Sequence, residues 1–180
     1  MGEFWRKSKR FSPNLILHSA NYPKIYVKRQ VIYMVNFVDE YPRQLDERGR
    51  IILPAKVREN MSDTVYVTRS MSDKCLYIYT QEEWDKISEK INQLPTATDR
   101  NAAAFARLFF GKAASATIDK QGRVPISKRL MEYASLCKDV VLVGANNRLE
   151  IWDSEEWERY QRDLSDDIMI DGILKYGLNI

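Results

Sequence analysis

Histidine occurs once in this chain, as His18, and cysteine twice, as Cys75 and Cys137, far apart and without a Cys-x-x-Cys spacing. That supply is too thin for a structural zinc site, for a disulfide scaffold, or for a Ser-His or Cys-His dyad beyond the first 33 residues. The expectation is no metal, and two buried free thiols in a reducing cytoplasm. The seven glycines make neither a phosphate-cradling loop nor a dinucleotide fingerprint, so no cofactor or small-molecule ligand is expected. No apolar run approaches the roughly 20 residues of a membrane-spanning helix. Leu15-Ile16-Leu17 is too short for a secretion signal and is bracketed by Pro13, Asn14 and His18. The carboxylate pairs Glu82-Glu83 and Glu155-Glu156 fall where first helical turns are expected, and there they complement the helix dipole rather than serve acid–base chemistry. An enzyme is therefore not expected.

With 44% apolar and 29% charged residues, the chain suits a soluble globular protein of one fair-sized domain or two small ones. Its net charge of +3 is unevenly spread. Residues 1–33 hold seven Lys/Arg against Glu3 alone, which leaves the remainder at −3. A nucleic-acid partner must then be met by a clustered basic face, because overall charge does not supply one. Residues 1–33 also lack sustained periodicity, apart from an expected strand at Lys24–Tyr33. They read as an extension, or as a basic arm along phosphates. Met34 stands just before the body and is a candidate translation start, checked by N-terminal sequencing of the native protein.

What the body does have is a repeat. Leu45-Asp46-Glu47-Arg48-Gly49-Arg50-Ile51-Ile52-Leu53-Pro54 returns as Ile118-Asp119-Lys120-Gln121-Gly122-Arg123-Val124-Pro125-Ile126. Each copy reads as a tight turn between strands: Asp46 and Asp119 hydrogen-bond the following backbone, while Gly49 and Gly122 supply positive φ. The spacing of 73 residues recurs from Leu76 to Leu149, from Ile78 to Ile151, and from Glu82-Glu83-Trp84 to Glu155-Glu156-Trp157. Val65-Tyr66-Val67 matches Val140-Val141-Leu142 at 75, and the tighter turn Gly144-Ala145-Asn146-Asn147 restores the register. The unit is βαββα-like. The domain plan is extension 1–33, first unit 34–95, linking helix 96–112, second unit 113–164 and tail 165–180.

Within the first unit, alternation puts Ile51 and Leu53 on one face and Arg50 with Ile52 on the other. Pro54 opens a short helix to Met61, a hairpin joins Thr64–Thr68 to Cys75–Tyr79, and Thr80 caps a helix with Trp84, Ile87, Ile91 and Leu94 on one face. The linking helix runs from Thr98 to Phe110, stops at Gly111, and is expected to pack across both units. In the second unit Ser127 and Asp153 cap the two helices, with Trp157, Tyr160 and Leu164 as apolar positions in the latter. Pro125 removes a donor and places its strand at an edge. The tail, broken by Gly172 and Gly177, docks as a short helix or meets a neighbouring subunit.

Two arginines, Arg50 and Arg123, stand at the roots of the outgoing strands. Each has a local use, holding the Asp four residues before it. Together with Lys56 and Arg58 after the first copy, and Lys128 and Arg129 after the second, they also form matched basic edges of the kind that contact phosphates and guanine.

At these residues the chain resembles a family. The doubled Asp-x-x-x-Arg motif, the continuation Leu53-Pro54-Ala55-Lys56 and the two Glu-Glu-Trp helices look like MraZ, a bacterial transcriptional regulator, over about Val35 to Leu164. The resemblance implies an α+β fold of two tandem AbrB-like swapped-hairpin units in a compact pseudo-symmetric β-barrel with peripheral helices. It also implies a ring-like homo-oligomer that binds repeated sites in double-stranded promoter DNA and represses a division and cell-wall gene cluster. The protein would then be nucleoid-associated. Arg48, Arg50, Lys56, Arg58, Lys120, Arg123, Lys128 and Arg129 are the expected DNA-contacting residues, with Asp46, Gly49, Asp119 and Gly122 as turn scaffold. The alternative is an antitoxin-type protein-interaction module on the same hairpin fold.

Overall fold

A computed structural model describes residues 24–27, 30–33, 36–59, 61–164 and 166–177. Met34 and most of the basic extension lie outside them. Met1–Met34 and Val35–Ile180 are separate compact units. In the first, the expected single strand is an antiparallel pair, β1 (Lys24–Val27) and β2 (Gln30–Tyr33), with Ile25 opposite Ile32.

The second unit opens with β3 (Glu40–Gln44), the Asp46 turn and β4 (Arg50–Ile52). Next come α1 (Ala55–Arg58), β5 (Thr64–Arg69), β6 (Leu76–Thr80), α2 (Gln81–Asn92) and α3 (Arg100–Lys112). The plan then recurs as β7 (Ala114–Thr117), β8 (Arg123–Pro125), α4 (Lys128–Tyr133), β9 (Asp139–Gly144), β10 (Leu149–Asp153) and α5 (Ser154–Asp163). A last helix, α6, spans Asp166–Tyr176. Each repeat thus carries one more strand than βαββα, the one entering the turn.

The strands exchange partners between repeats. β3 pairs with β9 of the second repeat, and β7 pairs with β5 of the first. The six-stranded antiparallel sheet runs β3-β9-β10-β6-β5-β7, an order that reads the same when the repeats are interchanged. At its centre Leu149 faces Ile78 and Ile151 faces Leu76, as a pseudo-twofold axis requires. The outgoing strands leave the sheet and form a two-stranded ribbon in which Ile51 opposes Val124. The ladders of the described residues thus make an open sheet and a separate ribbon rather than a closed barrel. Pro42 lies in the edge strand β3, and Pro125 lies in the ribbon opposite Arg50, both positions where a missing N–H is tolerated.

Alternation does what the sequence predicts. Ile51, Leu53, Val124 and Ile126 are buried and share one hydrophobic core with Val65, Leu76, Ile78, Val140, Leu142, Leu149 and Ile151 of the sheet, whereas Ile52 is exposed. A continuous apolar core between ribbon and sheet is the main stabilising term, since burying each such side chain is worth about 1.5–3 kcal/mol. A second cluster joins Tyr79, Trp84, Ile91 and Phe109. Phe37 closes the far side, paired with Asn146. Gly144 is required there, because a Cβ would overlap the Phe37–Val38 backbone.

Several local expectations need correction. Pro54 precedes α1 as its cap residue, and the helix is only four residues long. Gly111 does not end α3: the helix continues to Lys112, and Arg129 donates to the Gly111 and Lys112 carbonyls, doing from another element what a left-handed glycine would do locally. α3 packs on the first repeat through Phe109 and Phe110 against Trp84, and meets the second through the Arg129 contact. Ser127 occupies the cap position of α4 with its hydroxyl unused, whereas the Thr80 and Asp153 side chains do cap α2 and α5. Leu94 is exposed. Gly172 lies inside α6, and only Gly177, at positive φ, follows its end. Both cysteines are free, but only Cys75 is buried, where burial pushes its thiol up to about 12; Cys137 is exposed.

Candidate nucleic-acid interface

Each turn is built by its own aspartate. Asp46 Oδ1 accepts from the backbone N–H groups of Arg48 and Arg50, both at 2.9 Å, while Oδ2 accepts from Arg50 Nε at 2.7 Å. Asp119 repeats the pattern with the N–H groups of Gln121 and Arg123 at 2.9 Å and Arg123 Nε at 2.8 Å. Gly49 and Gly122 donate to the carbonyls of Asp46 and Asp119 at 2.8 Å, with φ of +68° and +80°. Local sequence therefore determines the turn completely: one carboxylate satisfies two backbone donors and one guanidinium within four residues.

The ribbon joins the two turns. Leu53 N–H donates to Gly122 O and Ile126 N–H to Gly49 O, so the strand leaving one turn continues alongside the other turn's glycine. Arg50 and Arg123 lie on the face opposite Ile51 and Val124, with side chains 25% and 29% exposed. Arg50 binds Asp46 at 2.6 Å through Nη2, and its Nη1 is 3.9 Å from Asp119 Oδ2 on the other turn. Arg123 Nη2 donates to Gln121 Oε1 at 3.0 Å. Both guanidinium groups are thus held by carboxylates, the local use anticipated from sequence, and both still present part of their surface to solvent.

The other six expected contact residues divide by what already engages them. Arg58 donates through Nε to Leu53 O at 3.2 Å and lies against Gly122, at the turn of the other repeat; Met131 occupies the equivalent place over Gly49. Arg129 is spent on the end of α3. Lys56 and Lys128 are 63% and 87% exposed, in loose ion pairs with Asp39 at 3.5 Å and Glu132 at 3.8 Å. Such exposed pairs are worth little, which leaves both ammonium groups available. Arg48 and Lys120 are exposed at the turn tips and make no ion pair among the described residues. The structure therefore brings Arg48, Arg50, Arg58, Lys120 and Arg123 to the paired turns. Lys56 and Lys128 stand on the short helices that follow the ribbon strands.

Sequence reasoning missed Lys138. Its carbonyl accepts from Leu45 N–H at 2.9 Å, and with Arg48 and Arg50 it lines an open cleft of about 510 Å³ beside the first turn. The repeat register pairs Lys138 with Asp63, but no local signal says that it stands next to Asp46.

Protonation follows from these contacts. The Arg50 side chain first, and its backbone N–H second, hold the Asp46 carboxyl at about 2 instead of 3.8. Asp119 is also lowered, chiefly by the Arg123 backbone N–H. A carboxyl harder to protonate folded than unfolded contributes stability that is complete above its unfolded value and is lost as pH falls through the folded one. The urea midpoint should therefore fall between about pH 5 and about pH 2, and the double variant Asp46→Asn/Asp119→Asn should show a shallower decline. Equal declines in the two proteins would remove the turns as its source.

No helix among the described residues is long and apolar enough to cross a membrane. Nor, among them, does any group of three or more His, Cys, Asp or Glu side chains stand together as metal ligands do.

Comparison with known proteins gives a consistent answer. A family model described as "MraZ protein, putative antitoxin-like" matches residues 37–107 and 109–171, one match for each repeat. The chain is 44% identical over 126 residues to the transcriptional regulator MraZ of Natranaerobius thermophilus, covering 70% of this chain and 87% of that one. It is 42% identical over 139 residues to the same-named protein of Finegoldia magna, covering 76% and 96%. With that of Clostridium tetani it shares 45% over 124 residues, covering 69% and 86%.

Proposed function

The chain belongs to the MraZ family, and on that premise we propose that it is a transcriptional regulator whose β4–β8 ribbon binds double-stranded DNA. The observation that carries the reading is the ribbon itself. Two arginines, each pre-ordered by its own aspartate, stand on the outward face of one rigid two-stranded element. Such a ribbon fits a major groove, where guanidinium groups reach phosphates and guanine edges. Arg48 and Lys120 extend the contact at the turn tips. Lys56 and Lys128 take phosphates beyond them, with Arg58 supporting the second turn. Arg129 contributes by anchoring α3, and its terminal nitrogens reach DNA only if that contact opens.

A body of net −3 needs many such edges at once. We therefore propose a ring-like homo-oligomer set against repeated promoter sites, in which linked contacts gain through effective concentration. The apolar residues exposed along α5 and α6, among them Tyr160, Leu164, Ile168 and Leu174, supply surface for subunit contact. In this reading sheet and ribbon, which share one core, are the two walls of a pseudo-symmetric barrel that their separate ladders do not close. The target in this reading is the chain's own division and cell-wall gene cluster, repressed by occlusion of its promoter in the cytoplasm, at the nucleoid.

The test is a gel-shift titration with DNA upstream of the chain's own gene at two salt concentrations. Binding that falls steeply with salt and is lost on scrambled DNA supports the reading; equal retention of scrambled DNA refutes specific regulation. The same apolar strip favours one other reading, an antitoxin-type module whose tail holds a protein partner. A partner that co-purifies through residues 165–180, with no retention of DNA, would select it.

A further inference from the structure

The two turns are equivalent in backbone but not in charge. At the first, Asp46, Glu47, Arg48 and Arg50 are formally neutral together; at the second, Asp119, Lys120, Gln121 and Arg123 sum to one positive charge. What the fold adds beside each turn differs as well. Lys138 stands at the first, its carbonyl accepting from Leu45 N–H at 2.9 Å. At the second the matching carbonyl belongs to Asp63, which accepts from Ile118 N–H at 2.8 Å. Arg58 lies against Gly122 of the second turn, whereas the first has the uncharged Met131 in that place. Each edge thus receives one cation from elsewhere in the chain, and at the first edge it is Lys138.

Lys138 is exposed and makes no ion pair among the described residues. Together with Arg48 and Arg50 it lines the cleft of about 510 Å³, whose acids are Asp46 and Glu47. Asp46 is fully engaged by its own turn, and Glu47 is exposed. Three cations against two acids leave the cleft one net positive charge, which suits it to a singly charged oxyanion.

We propose that this cleft is a phosphate site in which Lys138 contacts one backbone phosphodiester of bound DNA, a contact the second edge lacks because Asp63 stands there. The inference rests on the DNA-binding reading above and deepens it. The two edges hold the duplex unequally, so a subunit has a direction on DNA despite its pseudo-twofold ribbon.

Three exposed-site variants test it against the promoter fragment and against scrambled DNA. Lys138→Ala should weaken binding several-fold to both, with the slope of log K against log salt smaller in magnitude by about 1, the signature of one lost phosphate contact. Lys138→Glu should weaken it further. Asp63→Lys should tighten binding to both and steepen the slope by about 1, because it places the missing cation at the second edge. Wild-type affinity and slope in both Lys138 variants, with the wild-type chain binding normally, would overturn this assignment and leave the DNA-binding reading standing. A wild-type chain that holds neither DNA would overturn both.

Discussion

Replacing Arg50 and Arg123 together by alanine is expected to weaken binding to the upstream promoter fragment by about a hundredfold or more at fixed salt, since each well-placed guanidinium contact is worth about 1–3 kcal/mol. Two effects act in the same direction. The variant loses the donors, and it leaves Asp46 and Asp119 facing the phosphates without their counter-charges, because each aspartate now closes on its own arginine. The pairing explains why these arginines suit recognition although they are partly neutralised. A free surface arginine loses rotamer entropy on binding, whereas one already held through Nε has lost most of it on folding. Arg50→Lys/Arg123→Lys separates the contributions: the charge remains, but the fork that binds carboxylate on one side and, in the proposed reading, DNA on the other does not. Affinity between wild type and the alanine pair is expected for it. Circular dichroism melts run beside the titrations guard against partial unfolding. An alanine pair that is folded and binds like wild type at both salt concentrations would exclude these arginines from the interface.

The other large effect concerns stability and uses the broken symmetry of the repeats. Trp84→Ala should cost about 3–5 kcal/mol in urea unfolding, and Trp157→Ala, at the matching position, about 1–2 kcal/mol. Trp84 is 8% exposed, stacked on Tyr66 at 4.6 Å and on Phe109 at 5.2 Å, with Phe110 edge-on at 5.8 Å. Its loss opens a cavity under α3 that surrounding aromatic rings cannot fill. Trp157 lies beside Trp152 and Tyr160, with Nε1 donating to Glu40, but α5 has no buried residue. Its truncation leaves a surface dent that water fills. Equal costs in the monomeric chain would mean that α5 is better packed than its exposure indicates. A cost at Trp157 that grows with protein concentration would instead place that face in a subunit contact.

Much of the candidate site's turn geometry was legible because its determinants are close in sequence. Asp46, Gly49 and Arg50 complete their contacts within four residues, and so do Asp119, Gly122 and Arg123. The inward set Ile51 and Leu53 follows from period-two alternation, and the Thr80 and Asp153 caps from side chains that reach only two or three residues ahead. What failed were readings that needed to know a neighbour. Gly111 looked like a helix terminator until Arg129 supplied the cap, and Leu94, placed on the apolar face of α2, is exposed. Arg58 and Arg129, read as equivalent phosphate ligands, are engaged by different partners.

By itself the sequence determined two copies of a turn, the face of each strand that points inward, and a pair of arginines placed four residues after their aspartates. All of these depend on bonds and periodicities short enough to be complete before the chain folds back on itself. The tertiary structure decided which strand lies beside which. Strands β3 and β7 could satisfy a ladder within their own repeat or in the other one, since alternation is the same in both, and only joint burial of sheet and ribbon over one core selects the exchange. That exchange sets Lys138 beside the first turn, and Asp63 and Arg58 beside the second, so two turns alike in backbone present their charges in different places.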